Sequence, residues 1–241
     1  MFDTFKRIGF AVLFGIAAMA PALADIPGPK FKLRAGETTK SPDRQLRVEQ
    51  YARDMGDDGF LHQFWIFDNA HKQGFPLNPD ESTDLAGYPA GFRFSPDSQW
   101  LVRMQKLGAG YHTLLLYHRQ GNRFVAATNK PLGELAWDYF FGLPVSKGLL
   151  LDPKDRDSLD HQQAHLVKGM EENYARLGQH WPNSRYAVIS LSFDIQGQDQ
   201  PTPWIEGWRC VYDLKTGAFS VPDSFADDNA KTVKTPDADR K

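Results

Sequence analysis

The first residues with a spacing suited to chemistry are His161-Gln162-Gln163-Ala164-His165, two imidazoles four positions apart. On a helix that spacing puts both rings on one face, one turn apart, as zinc proteases hold their metal. Asp157 falls on the same face a further turn back, giving a candidate ligand set of Asp157, His161 and His165. Gln162 stands where a general-base glutamate would be, so hydrolysis at such a metal lacks its proton acceptor. A solvated polar helix face shared with Lys168 accounts for the same residues. Asn78, Asp80, Ser82 and Asp84 alternate oxygen donors as a calcium loop does, but the glycine and distal glutamate of that loop are absent at the required spacing. A turn-rich connection ending at Gly87-Tyr88-Pro89 explains them too.

No Gly-x-Ser-x-Gly elbow, phosphate-binding glycine loop or dinucleotide fingerprint occurs in the chain, and no cofactor is expected. Glu134, Asp138, Asp194 and Glu206 are carboxylates that either converge in space for glycoside cleavage or serve as turn and surface charges. Aromatic residues form the other cluster: Trp137, Tyr139, Phe140 and Phe141 sit together, and Trp204 and Trp208 flank Glu206. Trp137, Tyr139, Trp204 and Trp208 are the candidate binding residues, able to stack on sugar rings or to anchor a protein partner. With 17 Phe, 8 Tyr and 6 Trp in the chain, most rings must be buried, and core packing is the alternative for these four.

Composition narrows what such residues can be used for. The 241 residues carry 28 Lys and Arg against 30 Asp and Glu, a formal charge of −2, which leaves no basic excess for phosphate contacts; no nucleic-acid partner is expected. A 41% apolar share is ample for a packed core. The lone Cys210, within Trp208-Arg209-Cys210-Val211-Tyr212, reads as a small buried side chain on a strand. Residues 1–24 read as an export signal of bacterial, Sec type: Lys6 and Arg7 precede an uncharged run from Ile8 to Ala24 that ends in Ala22-Leu23-Ala24. That run is short for a membrane span and is broken by Gly9, Gly15 and Pro21. The remaining chain is expected outside the cytoplasm, periplasmic or secreted, with no membrane span after cleavage. It would consist of one β-rich domain over 25–233 and a frayed charged tail over 234–241.

The elements that must position these residues come in three copies, each anchored on a Pro-Asp or Pro-Asn turn. The first, over 41–75, runs Ser41-Pro42-Asp43, Leu46 to Tyr51, Phe60 to Asp68, then Gly74-Phe75. The second, over 95–124, runs Ser95-Pro96-Asp97, Trp100 to Met104, Tyr111 to Tyr117, then Gly121 and Phe124. The third, over 182–219, runs Pro182-Asn183, Tyr186 to Leu191, Trp208 to Asp213, then Gly217 to Phe219. Proline presets the first corner, Asp or Asn hydrogen-bonds the backbone after it, and the closing glycine supplies a left-handed residue. Leu46, Val48, Gln50 and Leu101, Arg103 alternate as on strands with one wetter face, whereas Phe64-Trp65-Ile66-Phe67 and Leu114-Leu115-Leu116-Tyr117 are apolar on both faces. These patterns predict antiparallel hairpins without crossover units.

Phe94-Ser95-Pro96-Asp97-Ser98-Gln99-Trp100-Leu101 followed by Leu115-Leu116-Tyr117, and Val211-Tyr212-Asp213-Leu214-Lys215-Thr216-Gly217 in the third copy, resemble the blade repeat of TolB-type periplasmic β-propellers. Arg44, Ser98 and Ser184 stand where that family's pattern has glycine after the acidic or amide residue. The resemblance implies a platform for binding proteins or small ligands. Three blades do not close a ring, so the expectation is a mainly β fold of antiparallel hairpin repeats in an incomplete propeller-like or sandwich-like assembly. One inserted amphipathic helix is predicted at about 155–179, with Leu159, Leu166, Met170 and Leu177 as its apolar stripe and Gly178 and Pro182 ending it; Phe225 to Val233 predict a short terminal helix. The functional expectation is a non-catalytic module of the bacterial envelope binding a protein, peptide or glycan through loops between the repeats. The alternative is a hydrolase built from loop carboxylates and histidines.

Overall fold

Both turns of the Ser-Pro-Asp type are built the same way, and they show why the repeats fold as hairpins. In the computed structural model, which describes residues 27–71, 73–77, 85–108, 110–149, 162–167, 184–193 and 204–234, Ser41 Oγ donates to Asp43 Oδ1 at 2.6 Å. It also accepts from the Leu46 amide at 3.0 Å, while the Gln45 amide donates to Asp43 Oδ1 at 3.0 Å. Ser95, Asp97, Gln99 and Trp100 repeat the pattern at 2.5, 2.9 and 3.1 Å. The residue after each aspartate is left-handed, Arg44 at φ 58° and Ser98 at φ 59°, two of the three positions where the sequence lacks the glycine of the resembled repeat.

Around these turns the chain forms three four-stranded antiparallel units. The first comprises β1 (Lys32–Lys40), β2 (Leu46–Asp54), β3 (Phe60–Asp68) and β4 (Gly74–Pro76), with β5 (Leu85–Ala86) beside β3. The second comprises β6 (Ala90–Phe94), β7 (Trp100–Lys106), β8 (His112–Gln120) and β9 (Arg123–Ala126). After α1 (Leu132–Gly142), the third comprises β10 (Gln162–Leu166), β11 (Tyr186–Phe193), β12 (Trp204–Asp213) and β13 (Ala218–Ser220). It is followed by α2 (Asp223–Thr232) and β14 (Val233–Lys234), which pairs with the start of β12. The chain is thus mainly β, in antiparallel hairpin units that do not close on themselves, as expected.

Two expectations need correction. The helix over 155–179 lies mostly outside the described residues, but at 162–166 the chain is strand β10, with Gln162, Ala164 and Leu166 buried in alternation. Tertiary pairing with β11, from Gln162↔Phe193 to Leu166↔Ile189, overrides any helical reading there. One junction is also a crossover: β10 meets β8 in parallel, among the described residues at the pair Gln163↔His112, and so joins the second and third units into one nine-stranded sheet. The connection runs through α1, the element the sequence reading missed. Leu132, Ala136, Trp137 and Phe140 give that helix a buried stripe, and Pro131 precedes its first turn.

Two cores follow. Between the first and second units, Leu46, Val48, Phe64 and Ile66 meet Phe92, Phe94, Leu101, Tyr117 and Phe124. On the opposite face of β7 and β8, Val102, Leu114 and Leu116 meet the α1 stripe, which in turn meets Ile189, Leu191, Trp208 and Cys210 of the third unit. Strand β7 is therefore buried on both faces, and Arg103, expected on a wetter face, is 2% exposed, with its guanidinium 4.1 Å from the Phe64 ring centroid and bonded to Gln105 Oε1. Helix α2, expected at the terminus, seals the outer face of the third unit through Phe225 against Val188 and Val211. Asn229 of α2 bonds both backbone groups of Arg209, at 2.8 Å each, in the stretch of β12 between its pairings with β13 and β14.

Candidate functional site

The expected metal ligands are not shown as a set. Asp157 and His161 lie outside the described residues, as do Asn78, Asp80, Ser82 and Asp84. His165 sits on strand β10, so it is not one helical turn from a second ligand. Its ring is 5.0 Å from that of His112, across the β8–β10 junction, and its Nε2 is 3.2 Å from Gln163 Oε1. Burial, and then His112, push its pKa down; burial and Lys106 do the same to His112. Among the described residues no three His, Cys, Asp or Glu side chains cluster as metal ligands would. Of the carboxylates, Asp138 pairs with Lys130 at 3.2 Å, Glu206 is exposed on β12, and Asp194 lies outside the described residues.

The aromatic candidates are brought together, but in the core. Trp137 and Trp208 are 4% and 2% exposed, and Tyr139 is half-buried against Phe219, ring centroids 5.3 Å apart. Trp208 meets Phe140 edge-on at 4.8 Å and Trp137 meets Phe193 at 6.1 Å. The physical reason is α1: it turns the aromatic-rich segment onto the sheet, so a surface platform at Trp137, Tyr139 and Trp208 gives way to packing. The side chain of Trp204, on β12, is outside what the structure describes.

What the sequence reading did not find is an asymmetry between the two ends of the strands. The first and second units lie the same way up, because the Asp43 amide donates to Ser98 Oγ at 3.1 Å and Arg119 reaches Asp43 Oδ2 at 2.6 Å and Gln45 Oε1 at 2.8 Å. Burial alone would raise the Asp43 carboxyl, but bonds from Ser41, the Gln45 amide and Arg119 outweigh it and hold the pKa below the usual carboxylate range. This end is therefore a satisfied polar network.

The opposite end is apolar and basic. Among the described residues the exposed large apolar side chains are Leu33, Met55, Phe60, Tyr88, Leu107 and Val145, and all but Val145 lie where β1 and β3 begin, β2 and β7 end, or β6 is entered. Leu33, Met55 and Phe60, 49%, 40% and 47% exposed, line an open groove of about 730 Å³ with Lys30, Lys32, Arg34, Arg53 and Asp54. A register shift in β1 borders this groove. Four residues of β1, Arg34 to Glu37, stand opposite Gln50 alone, a bulge with Gly36 at φ 79° that bends the strand locally. Gln50 fastens the bulge, its Nε2 donating to Glu37 at 3.0 Å and to the Ala90 carbonyl at 2.7 Å, and its Oε1 accepting from the Ala90 amide at 3.0 Å. The turn from β2 to β3 folds back through Met55 N to Gly59 O at 2.8 Å, and the Gly87 amide bonds Phe60 O at 2.8 Å. The Arg53 guanidinium lies 5.0 Å from the Phe31 ring centroid, and Arg34 is 4.0 Å from Glu37. Beneath Phe60, buried His62 stacks on Phe64; burial, Arg34 and Arg103 push its pKa down against the opposing pull of Gly87 and Glu37.

No known protein family and no curated protein matches the chain. Among solved structures it is similar to TolB from Acinetobacter baumannii, at 12% identity and a TM-score of 0.32, over 84% of this chain and 32% of that one. It is also similar to a prolyl endopeptidase, at 12% identity and a TM-score of 0.25, over 80% of this chain and 34% of that one. The chain spans about a third of the length of these structures, and the likeness is a weak one of fold alone. Among the described residues no helix is long and apolar enough to cross a membrane.

Proposed function

We propose that the protein is an exported, non-catalytic interaction module of the bacterial envelope, and that its contact surface is the basic and apolar end of the first two units. The observation that carries this reading is the groove bounded by Leu33, Met55 and Phe60, three side chains left about half exposed at one end of a fold whose other end is a closed hydrogen-bond network. Exposed apolar side chains rimmed by charge are the ordinary signature of a contact surface. The content of the groove supports contact over a hydrolase: cations and apolar side chains, with neither a histidine nor a pair of carboxylates in its lining. Export rests on residues 1–24, whose basic start, apolar run and Ala22-Leu23-Ala24 end fit a cleaved signal.

Site-resolved crosslinking in the producing cell tests both parts. A photoreactive residue in place of Phe60 is expected to give one discrete adduct in the envelope fraction, lost when Lys32 and Arg34 are reversed to Glu. The same residue in place of Asp97, at the opposite end, is expected to give none. Equal adducts from both ends, or the protein retained in the cytoplasm with residues 1–24 uncleaved, would overturn the reading.

A further inference from the structure

Resting on the proposed contact surface, we infer that the groove at the start of β1 takes an extended acidic peptide, with at least one large apolar side chain between its carboxylates. Charge gives the first reason. Lys30, Lys32, Arg34 and Arg53 line the groove against one lining carboxylate, Asp54, whose Oδ1 already accepts the Gly56 amide at 2.8 Å, and Glu37 lies 4.0 Å from Arg34. Asp57 and Asp58, on the 3-10 turn beside it, do not line it. A near-neutral chain has thus gathered four cations in one open groove, where carboxylates bind best and ammonium groups are repelled.

The second reason is what lies between the cations. Leu33, Met55 and Phe60 line the groove from three different strand ends: Leu33, opposite Tyr51, on one face of the sheet, Phe60, opposite Asp54, on the other, and Met55 at the strand end just after Asp54. A ligand of charge alone would leave these side chains wet. Methionine at the strand end suits side chains of more than one shape, and an aromatic or long aliphatic residue covers the exposed Phe60 and Met55.

The third reason is the backbone. Among the described residues β1 is the outermost strand of its sheet, paired with β2 and no other strand. Its outer edge at Lys32 and Leu33 therefore offers amide and carbonyl groups to an extended segment laid alongside. Alternation in such a segment puts carboxylates on one face and apolar side chains on the other.

Fluorescence anisotropy with the purified protein tests this, using a fluorescein-labelled decapeptide that alternates Glu with Leu and Phe and a matched peptide with Lys at each Glu. The Glu peptide is expected to bind saturably and at least 10-fold more tightly than the Lys peptide at 20 mM salt. Raising salt to 200 mM, which shortens the screening length from about 20 Å to about 7 Å, is expected to weaken it about 5-fold or more. The double variant Lys32→Glu, Arg34→Glu and the single variant Phe60→Ser, all at exposed or half-exposed positions, are expected each to weaken it about 10-fold without changing the melting temperature. Equal or tighter binding of the Lys peptide, unchanged affinity in either variant, or no saturation below 1 mM would overturn the inference. Crosslinking from position 60 that persists alongside such a failure would leave the contact surface standing and remove only its acidic ligand.

Discussion

Replacing Asn229 by Ala tests how the open side of the third unit is closed. The Asn229 side chain is 5% exposed; its Oδ1 accepts the Arg209 amide and its Nδ2 donates to the Arg209 carbonyl, both at 2.8 Å. In effect one side-chain amide stands in for a missing neighbouring strand, in the stretch of β12 between the registers of β13 and β14. Truncation leaves a donor and an acceptor without partners, at about 1–3 kcal/mol each when water cannot reach them. Partial exposure of the bonded site lowers the sum to about 2–4 kcal/mol, which for a chain of this size is a fall in melting temperature of about 5–15 °C. Asn229→Asp is expected to be at least as damaging, because it keeps the acceptor, loses the donor and sets a charge against a carbonyl oxygen. Asp227→Ala, at an exposed position on the same helix, is expected to change stability by less than about 0.5 kcal/mol. Calorimetry gives the stability, and amide exchange at Arg209 reports the bond itself. An Asn229→Ala protein as stable as the parent, with unchanged protection at Arg209, would refute the assignment.

The other expectations are simpler. Arg44→Gly is expected to stabilise by about 0.5–1 kcal/mol in urea titration, because relief of a left-handed side-chain clash of about 1–2 kcal/mol outweighs the extra freedom of glycine in the unfolded chain. Gly133→Ala is expected to destabilise by about 1–3 kcal/mol in the same assay, since its Cβ would lie 2.5 Å from Thr113 Oγ1 and 2.9 Å from the Leu114 amide, prising α1 off the sheet. The pKa values of His62, His112 and His165 are all held low in the folded protein. At about pH 7.5 they are neutral folded or unfolded; as pH falls through the unfolded value near 6.5, the unfolded chain takes up protons first, so stability should decline between about pH 7 and 5. Phe at 112 and 165 together should flatten that decline in urea midpoints measured across the range.

How far the sequence could be read follows from which interactions are local. The Ser-Pro-Asp turns were legible because Ser41, Asp43, Ser95 and Asp97 act within six residues of chain, and even their irregularity, a missing glycine at Arg44 and Ser98, marked the two left-handed positions. Strand β10 was misread because a spacing of four, as between His161 and His165, belongs to a helix of period 3.6 and equally to a strand of period 2. The better signal was positional: β1 and β6 each run directly into their turns, so the third copy also needed a strand ahead of Pro182. Helix α1 was hidden by apolar density, since Tyr139 and Phe141 beside the buried stripe blur its period. The groove had no signature in the sequence. Leu33, Met55 and Phe60 come to line one groove only through the pairing of β1 with β2 and of β2 with β3.

The seam between the second and third units has a mechanical consequence. Among the described residues, backbone bonding crosses it at one position, Gln163↔His112, while side-chain packing around α1 carries the rest of the joint. A pull on the C-terminus therefore meets a zipper inside each unit but only a rivet between them. Under load, or in mild denaturant, the last third of the protein should come away as a block, leaving the first two units clasped through Arg119, Asp43 and Ser98.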